Sequence, residues 1–229
     1  IATYYYPINV TNQYLEDARV RKALSLVIDR NYIVENVTKG GQKPAGGWIP
    51  YAVNDVEEDF RENAGDLYDI SKEGYNNNIA MAKKLLAEAG YPNGEGFPVI
   101  EFTTDPGNHV GIFEAVQQMW KEHLNIDSSI TQVDNALLGQ RLLEKKFMIG
   151  RLYWSSDYMD PMSMMSLFVS YNTQNNGGYS NRKYDELIER AASTGEQNIR
   201  MAAMHEAEKI FIEDSLKSDN FTRIGVGIG

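Results

Sequence analysis

Arg151, Ser155, Ser156 and Asp157 lie close together in the stretch R-L-Y-W-S-S-D-Y, at the end of a hydrophobic run from Phe147 to Trp154. A carboxylate placed directly after a buried strand either faces water from a loop or holds a cation at the mouth of a cleft. An arginine inside an apolar strand needs an anionic partner, which is a carboxylate of the protein or one on a ligand. Read as one strand, the run sends Arg151 and Trp154 to opposite faces and puts Arg151 on the face of Ser155 and Asp157. His109 sits in D-P-G-N-H, just after the strand-like P-V-I-E-F-T-T at 98–104. With Asp157 and either Ser155 or Ser156, it supplies the residue types of a hydrolase triad. No G-x-S-x-G elbow frames the serines, which weighs against that chemistry. His123 and His205 fall on expected helices without H-E-x-x-H spacing, so no zinc site is expected. No phosphate-cradling glycine loop is present, and Asn175-Asn-Gly-Gly178 reads as a turn. Tyr153, Trp154, Tyr158 and Tyr171 gather around Asp157, as aromatic side chains do in a recognition pocket.

The elements that must position these residues follow from hydrophobic period. The opening A-T-Y-Y-Y-P-I-N-V reads as a strand, with Pro7 marking an edge or a break. Val20, Ala23, Leu24, Val27 and Ile28 make one helix face. Asp29 then caps a short helix over 31–37 that Gly40-Gly41 ends. Residues 42–77 read as irregular, and Asp55-Val-Glu-Glu-Asp59 as a solvated acidic surface whose spacing does not fit an EF-hand loop. A helix through Ile79, Ala82, Leu86 and Ala89 stops at Gly90 and Pro92. Next comes strand (98–104), helix (112–120), strand (128–133), helix (137–144) and strand (147–154). Short links in that order imply parallel strands joined by right-handed crossovers. Helices over 161–168, 184–192 and 199–212 follow, the last burying Ala203, Ala207, Ile210 and Phe211. In such a sheet, ligands bind beyond the carboxyl ends of the strands, which brings His109 and Asp157 to one rim.

At 229 residues the chain can bury a substantial core, and 42% hydrophobic with 24% charged residues is globular composition. A net charge of −10 is not a nucleic-acid footprint, which needs a basic stripe. No apolar run is long enough for a membrane span. No signal segment opens the chain, which reads as a piece of a longer precursor. The absence of cysteine excludes disulfides, a thiol nucleophile and cysteine-ligated zinc.

V-R-K-A-L-S-L-V-I-D-R at 20–30, L-L-A-E-A-G-Y-P-N-G at 85–94 and Y-W-S-S-D-Y at 153–158 resemble, in order and spacing, the extracytoplasmic solute-binding proteins of peptide ABC transporters. The likeness runs from about Thr3 to Asp214. It implies an α/β, periplasmic-binding-protein-like lobe, a mixed sheet with helices packed around it. Residues 1–214 would be the C-terminal ligand-binding lobe of a two-lobed protein, with the N-terminal lobe missing and 215–229 an atypical, unassigned tail. The resemblance implies a non-catalytic receptor that takes up a peptide in the cleft and delivers it to the membrane permease subunits, with no cofactor and no nucleic acid. It would work outside the cytoplasm, in the periplasm or at the cell surface as a lipid-anchored protein. By the family pattern Asp157 binds the peptide's α-ammonium, beside Trp154, Ser155, Ser156 and Tyr158. His109, eleven residues before Trp120, and Arg151, three before Trp154, match positions around the peptide's far end. A second family arginine has no match in register, Arg141, Lys145 and Lys146 being merely near. Two rival readings are a receptor of the same fold for a sugar, nickel complex or opine, and a hydrolase using His109 and Asp157.

Overall fold

The structure is a computed structural model that describes residues 1–175, 179–217 and 223–224, with 215–217 and 223–224 as backbone alone. The expected turn at 175–178 and the unassigned tail lie partly outside the described residues. Strand β1 (Ala2–Pro7) opens the chain. Helix α1 (Ala18–Leu26) follows, its first turn capped by the Asp17 carboxylate, which accepts from the Arg19 N–H. Asp29 caps α2 (Arg30–Tyr32) by accepting from the Tyr32 N–H. A π-helical stretch, Ile33–Thr38, continues it and ends at Lys39, in the left-handed region (φ 52°), one residue before the expected glycine pair.

The irregular stretch after it is better built than its composition suggests. It carries α3 (Phe60–Ala64) and buries Trp48, Ile49, Val53 and Phe60. Nor is 55–59 a purely solvated acidic surface. Asp55, 4% exposed, meets His205 at 2.7 Å, and Asp59 caps α3 by accepting from Arg61 and Glu62 N–H groups. Helix α4 (Tyr75–Glu88) then packs on α1. Beyond it Gly94 has φ +74°, and a Cβ there would run into the Leu124 carbonyl, so the tight link needs glycine.

The expected alternation holds. Strand β2 (Ile100–Thr104), α5 (His109–Leu124), β3 (Ser128–Gln132), α6 (Asn135–Leu143) and β4 (Ile149–Gly150) form a sheet of order β3-β2-β4, parallel at both pairings. The run from Phe147 to Trp154, however, is not one strand. It breaks at Arg151, and β5 (Leu152–Ser155) pairs antiparallel with β1 instead. The two halves are recruited by different sheets, so the chain must turn between them. Helix α7 (Met162–Met165), a 3₁₀ turn at Ser166–Phe168, α8 (Arg182–Ser193) and α9 (Gln197–Lys217) complete the lobe. On α9, Ala203, Ala207 and Phe211 are buried as expected, while Ile210 is only half-buried. Strand β6 (Arg223–Ile224) pairs with Tyr6 and Pro7 of β1. The fold is thus mixed α/β, with helices around two small sheets.

Two cores result. One surrounds β2 and α5, with Phe102 and Phe113 stacked at 3.7 Å and Trp120 beneath. The other joins 48–60 to α7, α8 and α9 through Trp48, Phe168, Tyr184 and Phe211. Strand β1 serves both. Successive strand residues face opposite ways, so Tyr4 and Tyr6 enter the first core and Tyr5 the second. The second core is tied by a buried ion pair, Arg61 with Glu208, each side chain 1% exposed.

Candidate ligand-binding site

The break at Arg151 places the charged residues. Thr104 ends β2 and Gly150 ends β4, which are parallel neighbours, so Asp105 and Arg151 emerge side by side at one carboxyl edge. His109 begins α5 just beyond Asp105. Arg151, only 7% exposed, donates from Nη2 to His109 Nε2 at 2.7 Å, and its Nη1 lies 3.3 Å from Asp105 Oδ1. Its guanidinium packs over the rings of Tyr153 and Tyr4, at 5.0 and 5.6 Å. Tyr4 also stacks on His109 at 5.7 Å, and its partner across the β1–β5 ladder is Tyr153. Burial first, and the Arg151 charge second, hold the His109 imidazole below its ordinary pKa of 6.5, against the opposing effect of Asp105. A neutral ring accepting at Nε2 carries its proton on Nδ1. Burial likewise pushes the Tyr4 phenol up to about 12. An open cleft of about 320 Å³ adjoins this group, lined by Ala2, Tyr4, Thr38, Gln42, His109 and Tyr153 among others.

The second part of the site is the turn after β5. Ladder partners share a face, so Ser155, opposite Ala2, lies on the Tyr4–Tyr153 side, where Arg151 also packs. Trp154, opposite Thr3, packs on the second core, so the opposite-face expectation for Arg151 and Trp154 agrees with their contacts. Trp154 also lines an apolar cavity of about 180 Å³ with Tyr5, Leu152 and Leu167. The Ser156 N–H donates to the Ile1 carbonyl at 2.8 Å, and its hydroxyl donates to the Tyr158 carbonyl at 2.5 Å. The Asp157 N–H donates to Ser163 Oγ at 2.7 Å. Asp160 accepts from the Met162 N–H and pairs with Arg200 at 2.5 Å, which fixes the far side of the turn. The Asp157 carboxylate itself is exposed and takes no hydrogen bond or ion pair among the described residues. Tyr158, 52% exposed, stands beside it.

The structure therefore brings His109 and Arg151 into contact and adds Asp105, Tyr4 and Tyr153. Sequence reasoning had not assigned Asp105 or Tyr4 to the site; the cue for Asp105 was its place in the loop after β2. Ser156, Asp157 and Tyr158 form a separate turn that follows Ser155, the last residue of β5. Among the described residues no hydrogen bond or ion pair joins His109 to Asp157, Ser155 or Ser156; His109 contacts Arg151, and the Ser156 hydroxyl donates to a carbonyl, so the hydrolase triad is not assembled. Among the described residues no group of three or more His, Cys, Asp or Glu is placed to hold a metal ion, and no helix is long and apolar enough to cross a membrane.

The arrangement is a fixed scaffold that carries an exposed carboxylate at one turn and a buried arginine–histidine contact at the sheet edge. The model of bacterial extracellular solute-binding proteins, family 5 Middle, matches residues 1–176, and the chain belongs to that family. Over 217 residues it is 32% identical to the dipeptide-binding protein DppE of Bacillus subtilis, covering 93% of this chain and 38% of that protein. The oligopeptide-binding protein OppA of the same organism is 31% identical over 220 residues, with 92% and 38% covered. The crystal structure of a periplasmic oligopeptide-binding protein, OppAIV of Borrelia burgdorferi, superposes with a TM-score of 0.83 at 30% identity, covering 100% of this chain and 42% of that one. The chain thus spans 38% of the length of these two curated relatives. The family is one of solute-binding proteins, not of enzymes.

Proposed function

We propose that this chain is the C-terminal ligand-binding lobe, residues 1–214, of a two-lobed extracytoplasmic receptor that binds peptides and passes them to the permease subunits of an ABC importer. The observation that carries this reading is the Asp157 carboxylate, exposed and without a hydrogen bond or ion pair among the described residues, while the backbone beneath it is pinned by Ser156 and Ser163. A carboxylate held without a partner is set to receive a cation, and the α-ammonium is the cation that every unblocked peptide brings. Such a bond is charge-assisted, roughly twice as strong as a neutral one. Arg151 and His109 would meet the far part of the ligand, with Tyr153 and Tyr158 offering flat apolar faces to side chains. A receptor for many peptides must draw affinity from the backbone and termini they share. The names of the relatives, dipeptide-binding and oligopeptide-binding, support a peptide ligand. Closure of a second lobe over this surface would be the hinge motion that the permease reads. Display at the cell surface by a lipid anchor belongs to the same proposal.

The test is calorimetric titration of the full-length protein carrying this lobe, with a peptide free or acetylated at its amino end. Acetylation should abolish binding, and Asp157→Asn should cost about 2–5 kcal/mol of affinity for the free peptide. Equal binding of the two forms overturns the assignment of Asp157.

A further inference from the structure

Asp105 is the acid within ion-pair distance of Arg151, at 3.3 Å. We propose that Asp105 is a built-in counter-ion that sets the specificity of the Arg151–His109 end of the cleft. That end would take an uncharged amide or a continuing peptide chain in preference to a terminal carboxylate. The inference rests on the peptide-receptor reading.

The charge count comes first. Arg151 is positive, Asp105 is negative at 3.3 Å, and His109 is neutral because its Nε2 must accept from a guanidinium that has no acceptor to offer. The cluster is therefore neutral before any ligand arrives. A ligand carboxylate brought to Arg151 would stand beside the Asp105 carboxylate, which is itself 17% exposed and poorly placed to withdraw into water. Like charges so close together disfavour each other's ionised form.

The second observation is the set of unused polar atoms. Among the described residues Arg151 Nε and His109 Nδ1 are buried without a hydrogen-bond partner, and Asp105 Oδ1, though ion-paired with Arg151 Nη1 at 3.3 Å, accepts no hydrogen bond. Two of these are donors and one is an acceptor. A carboxylate can satisfy donors only, whereas an amide offers both a carbonyl and an N–H. The adjoining cleft agrees, since among the described residues its polar lining includes Thr38, Gln42 and Asn108 but no lysine, arginine or acid.

The experiment uses matched di- to pentapeptides with a carboxylate or a carboxamide at the C-terminus, titrated calorimetrically into the full-length protein and its Asp105→Asn variant. Wild type should bind the amide as well as the acid or better. Asp105→Asn should shift the ratio toward the acid by roughly tenfold, the scale of one charge-assisted hydrogen bond. Asp105→Ser provides a second reading if the first variant folds poorly. A wild-type preference for the acid of tenfold or more, or a ratio unmoved in the variants, overturns the inference while leaving the peptide receptor standing. If no peptide of either kind binds wild type, the receptor reading fails and this inference falls with it.

Discussion

Glu208→Gln tests whether the second core is held by the charge of its buried pair. Glu208 Oε1 accepts from the Trp48 and Ile49 N–H groups, each at 2.7 Å, while Oε2 takes the Arg61 guanidinium. Arg61 also donates to the carbonyls of Ile49 at 3.0 Å and Gly65 at 2.8 Å. One carboxylate on α9 thus anchors the 48–65 stretch, which has little regular structure of its own. Glutamine keeps an acceptor for the amides but removes the negative charge and turns an N–H toward the guanidinium. An uncompensated buried charge costs about 3–5 kcal/mol. At roughly 2–4 °C per kcal/mol for a chain of this size, the melting temperature should fall by about 6–20 °C. Trp48 is buried at this joint, with its indole N–H on the Met164 carbonyl at 3.2 Å, so tryptophan fluorescence in a urea titration reports its loss. A loss below about 1 kcal/mol would refute the reasoning, because it would mean that water already screens the pair.

Two further outcomes follow from the site. His109 should titrate below 6.5 in an NMR pH series, and Arg151→Gln should raise its pKa only partly, because burial is the larger cause. Since its folded-state pKa is depressed, the stability His109 contributes is present above its unfolded value and is lost as pH falls through the folded one. Ser163→Ala removes the acceptor of the Asp157 N–H, and should lower stability by about 1 kcal/mol and weaken peptide binding in calorimetry.

Much of this architecture was legible because period and caps are local signals. Asp29 precedes its helix as a cap should, and the alternation from Pro98 onward predicts the parallel sheet, since each apolar stripe is written within its own element. The failures were tertiary. Nothing in F-M-I-G-R-L-Y-W distinguishes one strand from two, because the break depends on β2 and β1 competing for the same run. Trp48, Val53 and Phe60 carry no period, so their burial against α8 and α9 is invisible until those helices are placed. Asp55 reads as a surface acid because its partner, His205, is remote in sequence. Asp157 was legible for the opposite reason. Its carboxylate takes no hydrogen bond or ion pair among the described residues, so no remote partner has to be known before it can be singled out.

The same break explains why the charged end of the candidate site lies where it does. An arginine within a continuous central strand would have to bury its guanidinium in one of the two cores, where desolvation is severe. By letting β4 end at Gly150 and β5 begin at Leu152, the chain carries Arg151 across the seam between the sheets. Its backbone stays bonded to Thr103, at 3.1 Å, while its side chain reaches the carboxyl edge of β2. That edge supplies Asp105 from the loop and His109 from the start of α5, and the β1–β5 ladder supplies Tyr4 and Tyr153 as walls. The carboxyl-edge rule for open α/β sheets places ligands where strand ends leave polar groups uncovered. Here the rule acts through a strand that ends early, so shifting the break by one residue would reverse which face β5 presents and take Tyr153 off the arginine.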